Sequence, residues 1–197
     1  MRVPVSIPVI LASQSPRRAQ LLQQAGLQFT VSTAGGETDE LYPPELQREA
    51  VAMFLAHKKA EAFLRAVAIP DEAVVVTADT VVWIKNRTLE KPANRQEAIE
   101  MLEMLSDNVH HVYTGVCLTT NNKQRCFFDE SKVFFRKLSR DEIEYYVDHY
   151  KPYDKAGAYG IQEWIGCVGI ERIEGSYHNI VGLPVAKLYR ELQDINS

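Results

Sequence analysis

The sequence predicts an α/β fold built on a mixed sheet, and three observations predict it. Strand-like apolar runs alternate with helix-like amphipathic runs, without an internal repeat. Ala73-Val74-Val75-Val76-Thr77-Ala78 is a nearly unbroken apolar run, as expected of a strand buried on both faces. Residues 109–120 and 125–136 are long β-like segments flanking the turn residues Asn121-Asn122, and they read as an antiparallel hairpin.

Taken in order, a first strand is predicted over residues 7–13. A helix follows over 16–25, with Ser15 as N-cap, Pro16 at the first helical position and Gly26 at its end. A short strand near 28–33 leads into the polar loop Gly35-Gly36-Glu37-Thr38-Asp39-Glu40. Pro43 and Pro44 precede a long helix from Glu45 to Val67. The apolar strand from Ala73 ends at Asp79-Thr80 and resumes as Val81-Val82-Trp83-Ile84, before a turn at Lys85-Asn86-Arg87. Asn94 with Glu97, and Ser139 with Glu142, make capping-box starts for helices over 95–105 and from Ser139 to about His149. Residues 151–160 are a Gly- and Tyr-containing loop, 164–173 a strand, 175–184 a loop, and a final helix runs to about Gln193.

A 46% hydrophobic share suits a globular protein, and no low-complexity linker divides residues 1–197, so the chain reads as a single domain. The net charge of −4 argues against a nucleic-acid partner, which would favour a basic surface. A basic pocket inside an acidic shell would instead take a small anion. No run reaches the ~18 apolar residues of a membrane span, which gives a cytoplasmic expectation with no membrane partner. Cys117, Cys126 and Cys167 lack metal-site spacing and sit in apolar, strand-like contexts, so they are expected to be reduced core residues. The five histidines show no metal-ligand spacing.

The chemistry concentrates in a few segments. In Leu11-Ala12-Ser13-Gln14-Ser15-Pro16-Arg17-Arg18 a strand runs into a helix whose first turn carries two arginines. A helix start attracts anions through its free N–H groups and dipole. Cations placed there oppose that dipole, which makes sense if a phosphate chain rests on them. Asp79, a carboxylate closing an apolar strand, can hold a divalent cation, orient a water or take its proton. Lys91 is stiffened by Pro92, and Lys155 lies among small residues that let backbone approach a ligand. Gln162 could read a base edge with one donor and one acceptor. On the long helix, Lys58 falls near the stripe set by Val51 and Phe54, while Lys59 lies closer to its edge. Glu37, Asp39 and Glu40 form an acidic loop that binds metal only if it folds beside Asp79.

Together these segments resemble the Maf family of nucleoside triphosphate pyrophosphatases. The resemblance spans almost the whole chain. Its blocks are the Leu11–Arg18 segment, Ala78-Asp79-Thr80-Val81-Val82, Leu89-Glu90-Lys91-Pro92, Thr114-Gly115-Val116, Asp154-Lys155-Ala156-Gly157-Ala158-Tyr159-Gly160-Ile161-Gln162, Ile173-Glu174-Gly175-Ser176-Tyr177 and Val181-Gly182-Leu183-Pro184. It implies an elongated, two-lobed mixed-sheet fold similar to the inosine triphosphate pyrophosphatases, with the active site between the lobes. It also implies hydrolysis of a nucleoside triphosphate to the monophosphate and pyrophosphate with a divalent cation, Mg²⁺ first and Mn²⁺ or Co²⁺ as substitutes.

Asp79 matches the family's general base. Ser13, Arg17, Arg18, Lys91 and Lys155 match phosphate-binding positions, and Glu37 matches an acidic position near the metal, which Asp79 would share. The family pattern points to Lys59, where periodicity favours Lys58. Arg17-Arg18, Thr80 and Gln162 look like the subgroup acting on dTTP and UTP. The alternatives are a 7-methyl-GTP pyrophosphatase and a non-catalytic nucleotide-binding regulator of cell division. Homodimers are common in the family. Two positions depart from its usual glycines: Asp107 after Ser106, and Glu163 beside Gln162.

Overall fold

The valine-rich run that begins at Ala73 becomes the central strand. In the computed structural model, which describes residues 7–36 and 38–195, Val74–Ile84 forms one continuous strand, β3. The break expected at Asp79-Thr80 does not occur, because both faces of the strand are covered and pairing with the next long strand continues through it.

The other strands are β1 (Val9–Leu11), β2 (Phe29–Val31), β4 (Arg87–Leu89), β5 (Val109–Thr119), β6 (Gln124–Phe135) and β7 (Ile170–Glu174). They pair in the order β2-β1-β3-β5-β6-β7, with β4 also on β3. β1 is parallel to β2 and β3, and every other pairing is antiparallel, so the sheet is mixed as predicted. Lys85 and Asn86 both take positive φ, the two-residue turn whose twist suits a hairpin, and β4 folds back onto β3.

Helices cover both faces of the sheet. They are α1 (Pro16–Gln24), α2 (Glu49–Ala66), α3 (Arg95–Leu105), α4 (Arg140–Tyr150), α5 (Trp164–Gly169), α6 (Tyr177–Val181) and α7 (Val185–Asp194), with a 3₁₀ turn at Ala156–Ala158. Strand side chains alternate between faces. Val75, Val81 and Trp83 of β3 meet Val51, Ala52, Leu55 and Phe63 of α2. On the opposite face, Val74, Val76 and Ala78 pack with Leu21 and Leu22 of α1 and Leu188 and Leu192 of α7. Further along that face, Val82 and Ile84 pack with Ile99 and Leu102 of α3 and with Ile143 and Tyr146 of α4. Val181 touches both of these clusters, which part at Thr80.

A close approach fixes α2. A Cβ on Gly115 of β5 would stand 2.4 Å from the Ala52 carbonyl oxygen, so only glycine lets the helix lie this near the sheet.

Three sequence expectations are corrected here. Residues 164–173 are α5 followed by β7, not one strand. A Cβ at Gly166 would fall 1.8 Å from the Ile161 carbonyl oxygen, so the segment turns back tightly on itself, and a short apolar run cannot signal that. The expected loop 175–184 contains α6, capped where the Ser176 hydroxyl accepts from the Asn179 N–H. Cys117 and Cys126 are not reduced. They are direct cross-strand partners of β5 and β6, with Cα atoms 4.1 Å apart, and are disulfide-bonded. Cys167 is a free, exposed residue of α5, outside the core.

Candidate active site

The site is a gap in a sheet edge. β1 pairs with Val74–Val76 of β3 and β4 with Val82–Ile84, leaving residues 77–81 of that edge without a strand partner among the described residues. A cleft of about 590 Å³ opens at the gap, within the usual range for small-molecule sites. Both faces of β3 can contribute there. Asp79 therefore lies mid-strand, not at a strand end, with 6% of its surface exposed. A buried carboxylate needs a partner. Lys59 Nζ of α2 supplies it, donating to Asp79 Oδ1.

This contact also separates the two helix lysines. Val51, Ala52, Leu55, Ala56, Ala60 and Phe63 are the buried residues of α2, and half-buried Lys59 lies one turn from Leu55, Ala56 and Phe63. Phe54 is partly exposed and does not mark the stripe, so periodicity drawn through it points to the wrong lysine. Lys58 turns outward to Asp39 and the Leu41 carbonyl.

The junction of β1 and α1 supplies the arginines. Arg18 is buried and donates through Nε to the Gly182 carbonyl at 2.9 Å, through Nη1 to Ser13 Oγ at 3.1 Å and through Nη2 to Thr80 Oγ1 at 3.3 Å. A guanidinium has five N–H groups, so one on each terminal nitrogen stays available to an anion. Burial holds its pKa below the ordinary value, and Asp79 opposes that shift. Thr80 is fixed in turn by Thr114 Oγ1 at 3.0 Å. The Ser15 side chain does not cap α1; Ser13 Oγ accepts the Ser15 N–H instead.

Five cationic side chains line the one cleft: Arg17, Arg18, Lys59, Lys91 and Lys155. Ser13, Asp79, Thr80 and Gln162 line it too. Of the expected site residues only Glu37 lies outside the described residues. Two further carboxylates stand beside these cations: Asp154, which the sequence did not single out, and Glu40 of the acidic loop. Asp154 accepts from Arg17 at 2.7 Å and from Lys155 at 2.6 Å, joining segments 137 residues apart. Burial would raise its pKa, but the hydrogen bonds from Lys155 and Arg17 hold it below the ordinary value. Glu40 accepts from Lys91 at 2.5 Å. Asp154 adjoins Lys155 in a block rich in small residues, which was the one available signal for it.

Among the described residues, no three His, Cys, Asp or Glu side chains gather as a metal cage. A cleft with one buried carboxylate and a ring of cations suits an ion carried by a phosphate chain, since Mg²⁺ is commonly held by one or two carboxylates plus substrate phosphates.

The fold and cleft thus define an α/β protein whose cleft gathers five cationic side chains around one buried aspartate. The chain belongs to the Maf family: the model described as "Maf-like protein" matches residues 8–195. It is 51% identical over 187 residues to a dTTP/UTP pyrophosphatase of Bacteroides fragilis, covering 95% of each chain. It is 50% identical over 185 residues to the protein of that name in Parabacteroides distasonis, covering 94% of each. A third protein of that name, from Flavobacterium johnsoniae, is 45% identical over 184 residues and 93% of each chain.

Proposed function

We propose that this protein hydrolyses dTTP and UTP to the monophosphate and pyrophosphate. The observation that carries the reading is the convergence of five cations and one buried carboxylate on a single nucleotide-sized cleft. The names of relatives near 50% identity over almost the whole chain supply the substrate class.

In this reading the triphosphate lies along Arg17, Arg18, Lys91 and Lys155, which hold it in line and absorb the charge that develops as pyrophosphate leaves. Arg17 and Lys91 exchange carboxylate partners for phosphate oxygens. Both pairs are partly exposed, and such pairs contribute only about 0–1 kcal/mol, so the exchange costs little. Ser13 and Thr80 act by holding Arg18, and Gln162 faces the base. Asp79 takes a proton from the attacking water as its oxygen bonds to the α-phosphorus and the bond to the bridging oxygen breaks. Lys59 swings from Asp79 toward the phosphates to free that carboxylate. A divalent cation, Mg²⁺ first and Mn²⁺ or Co²⁺ as substitutes, would be held by Asp79 and Glu37 with the substrate's own oxygens. When bound, it screens the phosphate charge.

The same reading takes residues 1–197 as one domain with the cleft between two lobes, in the manner of the inosine triphosphate pyrophosphatases. The parting of two core clusters at Thr80 supports it. No described helix is long and apolar enough to cross a membrane. We take the protein as a cytoplasmic homodimer whose partner is the nucleotide.

A pyrophosphate-release screen with Mg²⁺ over dTTP, UTP and 7-methyl-GTP tests the function. Turnover of dTTP and UTP is expected. Turnover of 7-methyl-GTP alone would move the protein to the other subgroup. Tight dTTP binding without pyrophosphate release would make it a nucleotide-binding regulator.

A further inference from the structure

Behind the cleft wall lies a second polar cluster that the proposed mechanism does not use. Tyr146 of α4 is fully buried. Its hydroxyl donates to Glu163 Oε2 and accepts the Gly160 N–H at 3.0 Å. The other carboxylate oxygen, Glu163 Oε1, lies 3.0 Å from Lys155 Nζ. Lys155 is itself buried apart from its face on the cleft. Glu163 is thus held at both oxygens, one by a neutral donor from the core and one by a cation of the site.

Two further observations show that this is a built arrangement. Glu163 occupies the N-cap position of α5, yet its side chain does not cap that helix and turns to Lys155 and Tyr146 instead. A Cβ on Gly160 would stand 2.9 Å from the Glu163 carboxyl carbon and 3.1 Å from the Gln162 amide nitrogen, so the turn is packed around both side chains. The charge that Glu163 brings next to Gln162 is matched by the Lys155 ammonium.

We propose that Glu163 and Tyr146 are positioning residues: they hold the Lys155 ammonium at the cleft wall and tie it to the Gly160–Gln162 turn, so that the phosphate-binding and base-reading ends of the site are set as one unit. Tyr146 anchors Glu163 to the core, Glu163 sets Lys155, and the Gly160 N–H on the same hydroxyl sets the turn that presents Gln162. Without the carboxylate, Lys155 keeps only Asp154, an exposed partner that it shares with Arg17. The lysine would then be less well aligned for charge developing in the transition state, while ground-state attraction for the triphosphate would not fall, since a negative charge has been removed. The signature is a loss in kcat without a rise in KM.

This inference rests on reading Lys155 as a phosphate ligand, and the test separates the two. Steady-state dTTP hydrolysis is measured for Glu163→Ala, Glu163→Gln, Tyr146→Phe and Lys155→Ala, and for the first and third combined with Lys155→Ala, with thermal melts of each. Glu163→Ala and Tyr146→Phe should each lower kcat about tenfold with KM within threefold of wild type. Glu163→Gln, which keeps an acceptor for Lys155, should recover most of that loss. Neither change should lower kcat further once Lys155 is gone. Wild-type kcat in Glu163→Ala and Tyr146→Phe, or losses that multiply with that of Lys155→Ala, would overturn the positioning role while leaving Lys155 in place. Wild-type turnover in Lys155→Ala would remove the reading of that lysine, and the inference with it. If Glu163→Ala does not fold, Glu163→Gln and the Tyr146→Phe cycle carry the same decision.

Discussion

Lys59 of α2 donates to Asp79 of β3 across the floor of the cleft, and each residue answers a problem the other poses. Asp79 is buried and a buried carboxylate needs a partner, and Lys59 is a half-buried lysine whose ammonium needs an acceptor. The pairing predicts a dissociation of activity from stability. Asp79→Asn should lower kcat by about 10²–10⁴-fold if it removes a general base. Lys59→Met should also destabilise the fold, by about 1–3 kcal/mol or more, because it strands a buried carboxylate. The double variant should regain much of that stability and none of the activity. Urea denaturation of the four proteins closes the cycle. Additive stability losses would show that the two residues are not coupled.

Gly115 predicts a second effect, carried by α2. Replacing it with alanine puts a methyl group 2.4 Å from the Ala52 carbonyl oxygen, against backbone that cannot rotate away. The helix must shift, and Lys59 lies on it about two turns further along. Overpacking of this kind costs about 1–3 kcal/mol. A lower melting temperature is expected together with reduced dTTP turnover. Turnover and melting at wild-type values would mean that the approach of helix and sheet does not govern the site.

Much of the cleft was legible in the sequence because its residues lie in short local patterns. A strand running into a helix with two arginines, a carboxylate in an apolar run and a lysine among small residues each announce themselves within ten positions. The gap that gathers them does not. It exists because β1 and β4 pair with opposite halves of the same edge of β3, and that is a fact of non-local register. For the same reason Asp79 read as a strand end: an Asp-Thr pair interrupts apolar patterning even when the backbone continues. The choice between Lys58 and Lys59 turned on Phe54, whose apolar side chain does not face the sheet. Glu163 stood out only as a departure from a usual glycine, because its partners, Tyr146 and Lys155, lie 17 and 8 positions away on separate elements.

Acid should destabilise the protein through His110. Its ring is buried between Phe135 and Tyr159, with Nε2 bonded to the Tyr159 hydroxyl at 2.7 Å and no hydrogen-bond partner at Nδ1 among the described residues. Burial, and secondarily His111, depress its pKa to about 3 from an ordinary 6.5. Between those values the unfolded chain binds a proton that the folded protein refuses. The neutral ring's contribution is fully present above pH 6.5 and is lost as pH falls toward 3, with a slope of about 1.4 kcal/mol per pH unit inside that window. Urea unfolding at pH 7, 6 and 5 should show this decline, and His110→Gln should flatten it. An equal slope in the variant would assign the acid sensitivity to other groups.

The cysteines give a prediction that sets register against composition. Cys117 and Cys126 face each other across β5 and β6, and Cys117 packs against Ala56 and Ala60 on the helix that carries Lys59. Cys167 is exposed on α5. Protein unfolded in denaturant without reductant should therefore titrate one thiol, and three after reduction. The unreduced mass should be about 2 Da below that of the reduced chain, the two hydrogens lost when the bond forms. Native protein should react at Cys167 alone. Because the bond joins strands already held by the sheet ladder, and closes a loop of only 9 residues in sequence separation, its loss should cost toward the low end of the usual range, about 2 kcal/mol. Cys117→Ala should then fold and retain dTTP turnover with a lower melting temperature. Three thiols titrating in the unreduced, unfolded protein would show that the pair is juxtaposed but not bonded.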